Sequence, residues 1–123
     1  MNTILNLANL LSHLLGTSTL SLNIFKVVEF FSLKPIEIVF YRTVFTRLFS
    51  DHDIEQVALI FSRLSSKLEL FHVRESLQSF FANAFRKSSL KNRELFTEEE
   101  SKKIKAALKD IKLIFRQAST NLV

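Results

Sequence analysis

Catalysis needs nucleophilic or titratable side chains that converge, and in this 123-residue sequence the candidates are few. Cysteine is absent, which excludes a thiolate nucleophile, a disulfide and a Cys-based zinc site, and suits an intracellular protein. The three histidines, His13, His52 and His72, fall on different expected elements and make no His-x-x-x-His pair, the spacing that aims two imidazoles at one metal. Their ordinary readings are a helix flank for His13, a helix-entry loop for His52 and a partly exposed place beside Phe71 for His72. A loop that cradles phosphate needs several glycines, and the chain has one. Ser62, Ser65, Ser66, Ser76 and Ser79 lack a Gly-flanked nucleophile elbow and read as helix surface and caps. No catalytic residue, metal site or cofactor is expected.

Charge gives the sharper candidates. The net charge is +5, but residues 1–61 hold four Lys/Arg against five Asp/Glu, and residues 62–123 hold thirteen against seven. The basic character therefore belongs to the second half. Arg86, Lys87, Lys91 and Arg93 cluster in and around one loop, where cations can engage RNA phosphates or simply solvate a helix end. Lys102, Lys103, Lys105 and Lys109, continued by Lys112 and Arg116, cover the polar face of a basic amphipathic helix. Such a face suits RNA, an acidic partner or plain water. Asp51, Asp53 and Glu55 gather at another helix start, where they already serve as caps.

These residues must be positioned by helices. Apolar residues make up 47% of the chain, enough for a core, yet the turn formers Gly and Pro occur once each, which disfavours a β-sandwich or barrel. Ile4, Leu7, Ala8, Leu11, Leu14 and Leu15 recur at helical spacing, with Gly16 expected as a left-handed C-cap. That stretch is broken by polar residues, lacks a basic leader and is too short for a membrane span. Ser21 caps a second run holding Leu22, Phe25, Val28 and Phe30 or Phe31, read as a helix ending near Ser32. Pro35 opens a third helix over 35–49 that buries Ile36, Val39, Phe40, Phe45 and Leu48 or Phe49, with Arg42 and Arg47 outward. Asp53 and Gln56 read as a capping box before Val57, Ala58, Ile60, Phe61 and Leu64, with Ser65 and Ser66 closing that helix. A fifth helix, from Glu69 to Lys87, faces inward with Leu70, Val73, Leu77, Phe80, Phe81, Ala84 and Phe85. Residues 88–96 are the most loop-like, and Thr97 with Glu100 caps a sixth helix running to about Ala118. About six antiparallel helices joined by short connections predict an all-α, HEAT-like stack: one module over residues 1–118 and a frayed tail over 119–123.

Several stretches then become recognisable in order. Residues 6–15 (Asn-Leu-Ala-Asn-Leu-Leu-Ser-His-Leu-Leu), Leu20-Ser21-Leu22 and Phe25-Lys26-Val27-Val28-Glu29-Phe30 with Leu33 are followed by Ile60-Phe61-Ser62-Arg63-Leu64-Ser65 and by Val73-Arg74-Glu75-Ser76-Leu77 with Phe80-Phe81. Over residues 4–90 the sequence resembles the C-terminal part of nucleolar scaffold proteins that carry a middle domain of initiation-factor-4G type and an MA-three domain. The spliceosomal scaffold of the same layout is the related alternative, and residues 13–17 fit it too. The resemblance implies an MA-three-like helical stack, a role in small-ribosomal-subunit biogenesis in the nucleolus, and contact with pre-ribosomal RNA or assembly proteins. It also implies partnership with a DEAD-box helicase of initiation-factor-4A type through upstream domains; no membrane partner is expected from the residues themselves. A purely structural end-cap of a solenoid is the remaining reading.

Overall fold

The computed structural model describes residues 2–65 and 70–121. They fold as an all-α stack, with no strand among the described residues. In chain order come α1 (Asn2–Gly16), two 3-10 turns (Leu22–Val27 and Phe30–Ser32), α2 (Pro35–Asp51), α3 (Ile54–Ser65), α4 (Phe71–Ala84), the single turn α5 (Lys87–Leu90) and α6 (Glu98–Asn121). α1 lies along α2, α6 packs on both α2 and α3, and α4 rests on the two 3-10 turns while touching α3 and α6.

Local sequence explains most element boundaries. Pro35 takes the first position of α2, where its missing N–H is harmless, and Glu37 accepts from the Lys34 backbone N–H at 2.8 Å. The expected capping box before α6 forms in both directions: Thr97 N–H donates to Glu100 Oε1 at 2.8 Å, and Glu100 N–H donates to Thr97 Oγ1 at 3.0 Å. Three acidic residues in that first turn also suit the helix dipole.

Four expectations are corrected. Residues 22–32 form two 3-10 turns instead of a helix, broken at Val28 and Glu29. The cap at Ser21 does form, its hydroxyl accepting from Asn23 N–H at 3.1 Å. Crowded β-branched and aromatic side chains disfavour a longer α-helix there, while a 3-10 turn still stacks Leu22 and Phe25 on one buried face. Gly16 is helical, and the left-handed residue that ends α1 is Ser18, with φ 61°. Gln56 does not box with Asp53, since its amide donates instead to the Gly16 carbonyl at 3.0 Å. The loop-like stretch contains α5 and two core anchors, Leu90 and Phe96. The expected start of the fifth helix at Glu69, and the closing Ser66, lie outside the described residues, and α6 continues past Ala118 through Asn121.

The core is an aromatic cluster. Phe45, fully buried on α2, stands 4.9 Å from Phe81, 5.6 Å from Phe25 and 6.0 Å from both Phe49 and Phe80, centroid to centroid. Phe61 and Phe115 bring α3 and α6 into the same cluster. Every residue expected to face inward from the fifth helix is buried. On α1 the buried face is narrower than expected: Ala8, Ser12 and Leu15 are enclosed, while Leu7 is 53% exposed; Leu10, outside the expected stripe, is also open at 54%. Ile36 is exposed as well, because α2 meets its neighbours mainly through its second half.

Candidate functional site

The basic candidates separate into two roles. Arg93 is a structural residue of the loop before α6: its guanidinium donates to the Leu90 carbonyl at 2.9 Å, the Phe96 carbonyl at 3.4 Å and the Ser101 hydroxyl at 3.3 Å. Lys103 lies on the far flank of α6, donating to the Ser50 carbonyl at 3.0 Å and standing 3.6 Å from Glu99. It offsets the negative end of α2. Both side chains remain exposed while making these contacts.

The remaining candidates stay exposed. Along α6, Lys102, Lys105, Lys109, Lys112 and Arg116 recur every three or four residues, and at about 100° per residue this places all five on one stripe. Lys112 of that stripe lines a groove of about 480 Å³ between α4 and α6. Phe81, Ala82 and Phe85 line it from the α4 side, Leu108 and Ile111 from α6, and Arg86 and Lys112 both reach it. Arg86 and Lys112, far apart in sequence, thus meet at one apolar-floored groove. Lys87 and Lys91 lie just beyond Arg86, at the start of α5 and at its C-cap.

Arg86, Lys102, Lys105, Lys109 and Lys112 form no ion pair with any carboxylate among the described residues. Their charge is held toward solvent. Arg47 behaves differently: it pairs with Asp51 at 3.4 Å and with Glu100 across the α2–α6 contact.

The sequence did not signal the role of Arg74. It is 2% exposed, donates to the Leu64 carbonyl at 3.2 Å and stacks 5.4 Å from the Phe71 ring centre. Burial pulls its guanidinium below the usual arginine range, with the Glu75 carboxylate opposing. This is a cation used to tie α4 to the end of α3.

The histidines do not converge. His13 is exposed, with its carbonyl accepting from Thr17; His52 packs over Gly16; His72 stands 6.3 Å from the Phe31 ring. Glu69 precedes His72 at a ligand-like spacing of three but lies outside the described residues. Among the described residues no group of three or more His, Asp or Glu is placed to hold a metal ion, and no helix is long and apolar enough to cross a membrane. Ser76 is buried, its hydroxyl donating to the Val73 carbonyl, and not on the surface as expected.

The chain is similar to the human protein named Nucleolar MIF4G domain-containing protein 1, with 39% identity over 88 residues, covering 72% of this chain and 10% of that protein. It is similar to the mouse protein of the same name at 41% identity over 78 residues, covering 63% of this chain and 9% of the relative. The chain thus spans about a tenth of the length of the curated relatives it matches. No protein-family model and no solved structure matches it. The resemblance to nucleolar scaffold proteins with a domain of initiation-factor-4G type is a resemblance to these curated relatives.

Proposed function

We propose that the chain is a non-catalytic interaction module of a nucleolar scaffold in small-ribosomal-subunit biogenesis and rRNA processing, contacting pre-ribosomal RNA or assembly proteins. The observation that carries this reading is the likeness to relatives named as nucleolar proteins with a MIF4G domain. Those names favour the nucleolar branch over the spliceosomal one. The solvent-facing cation stripe beside an apolar groove supports binding over chemistry, because it offers charge and shape without a nucleophile or general base. A DEAD-box helicase of initiation-factor-4A type belongs to this reading as a partner reached through regions outside this chain.

The test is affinity purification of the tagged chain from its own cells. Small-subunit assembly factors and pre-ribosomal RNA are the expected companions. Splicing factors in their place would move the assignment to the spliceosomal scaffold, and recovery of the chain alone would remove the interaction role.

An end-cap reading has one observation in its favour. α1 leaves Leu7 and Leu10 open while α6 turns lysines outward, the asymmetry of a terminal repeat with one apolar and one polar side.

A further inference from the structure

We propose that the groove between α4 and α6 seats an acidic amphipathic helix of a protein partner. This deepens the interaction-module reading and rests on it. The floor is built from Phe81, Phe85 and Ile111, which are buried in the core, and from Leu108, which is partly buried against it. At the middle of the α4 side stands Ala82, exposed and too small to fill the space beside it. An apolar cleft of about 480 Å³ between two helices accepts side chains such as Leu or Phe from a third.

The rims select the sign of the occupant. Arg86 and Lys112 line the groove from its two sides, and Lys105 and Lys109 continue the Lys112 stripe along α6; all four are exposed and unpaired with carboxylates among the described residues. Glu75, at the far end of the α4 face, is the one acidic group of that face. A ligand with apolar anchors and flanking carboxylates complements both features. From Lys102 to Lys112 the stripe runs about 15 Å along the axis, the length of roughly three helical turns.

The same geometry disfavours single-stranded RNA as the occupant. Bases need exposed ring faces to stack on, and the two phenylalanines of this groove are 4% exposed each.

The experiment uses the purified 123-residue chain and a synthetic peptide of about 16 residues, with Leu at i, i+3, i+4 and i+7 and Glu on the flanks. Fluorescence anisotropy should show binding of the patterned peptide at least about tenfold tighter than a scrambled peptide of the same composition. Ala82→Arg adds a positive charge but blocks the groove, so it should weaken the patterned peptide by about tenfold, whereas simple charge attraction would strengthen it. The double reversal Lys109→Glu with Lys112→Glu lies on exposed residues and should weaken binding by a similar factor.

Equal binding of patterned and scrambled peptides, or unchanged affinity in Ala82→Arg, overturns the proposal. So does tight oligouridine binding that Ala82→Arg enhances while the patterned peptide shows no preference. That result would assign the stripe to nucleic acid. Circular dichroism confirms the fold of each variant, and if Ala82→Arg loses helix, the double reversal and the peptide comparison decide the matter. Co-purification with pre-ribosomal factors is measured separately, so the groove and the scaffold reading fall independently.

Discussion

The imidazole of His52 lies directly against Gly16, so that a Cβ added at position 16 would clash with its Nε2, Cε1 and Cδ2 atoms. Gly16 is therefore kept small by a neighbour and not by its own backbone, which is helical. Its carbonyl also receives the Gln56 amide, which makes the end of α1 a seat for both the end of α2 and the start of α3. In an open helix Gly→Ala would stabilise by up to about 1 kcal/mol. Here Gly16→Ala should instead destabilise, by roughly 1–3 kcal/mol, as an overpacked site does. Adding His52→Ala should recover most of that loss, and urea unfolding of the single and double variants measures it.

Glu100 serves two elements at once. Its Oε1 closes the capping box on Thr97, and its Oε2 meets Arg47 of α2. Glu100→Gln keeps part of the cap but removes the charge, and should cost about 1 kcal/mol. Arg47→Ala should cost less, because the pair is partly open to water. A double-mutant cycle should give a coupling below about 1 kcal/mol that shrinks as salt is raised.

The phenylalanines divide sharply by position. Phe45→Ala empties a fully buried site touched by four other rings and should cost about 3–5 kcal/mol, enough to unfold a marginal chain. Phe31, 59% exposed, should tolerate Ala within about 1 kcal/mol. Thermal melting of the two variants separates these outcomes.

The contrast between Phe45 and Phe31 also marks what spacing reveals. Caps such as Ser21, Pro35 and Thr97 were legible because their partners lie within three residues. The inward face of α4 was legible because a long helix repeats a stripe several times. Leu7 has the same spacing as buried residues, and only the width of the α1–α2 contact decides that it stays outside. The contacts of Gln56, Arg74, Arg93 and Lys103 are not legible in the sequence, for another reason. Each spends its donor on a backbone carbonyl, at Gly16, Leu64, Leu90 and Ser50 respectively, which no residue-type pattern encodes. Likewise Arg86 and Lys112 stand 26 positions apart in the sequence and reach one groove only through the packing of α4 and α6.

Tyr41, the sole tyrosine, packs against Phe25, Phe30 and Phe40. Burial, and then the nearby Glu37 carboxylate, push its phenol above the usual 10.0. A raised folded-state pKa means the phenol's contribution to stability is fully present below pH 10 and is lost as pH climbs through the folded value. The absorbance of this one phenolate should therefore titrate at higher pH in the native chain than in denaturant. Tyr41→Phe should flatten the alkaline fall in stability. Coincident titrations in the two states would contradict the packing.

Arg93 and Lys91 look alike in the sequence, two cations in one loop, but they should behave oppositely on substitution. Arg93 ties the Leu90 and Phe96 carbonyls and the Ser101 hydroxyl together, while the Ser101 hydroxyl itself donates to Leu90 at 2.6 Å. Those bonds hold the loop that seats Leu90 and Phe96 in the core. Removing the guanidinium leaves two carbonyls less well satisfied, so Arg93→Ala should cost about 1–2 kcal/mol. Lys91 is exposed and contributes only its backbone to the α5 cap, so Lys91→Ala should stay within about 0.5 kcal/mol. Hydrogen exchange sharpens the test: faster exchange in Arg93→Ala should be confined to the segment around Phe96 and the first turn of α6. A stability loss in Lys91→Ala equal to that in Arg93→Ala would show that the loop is held by charge alone and not by this hydrogen-bonded clamp.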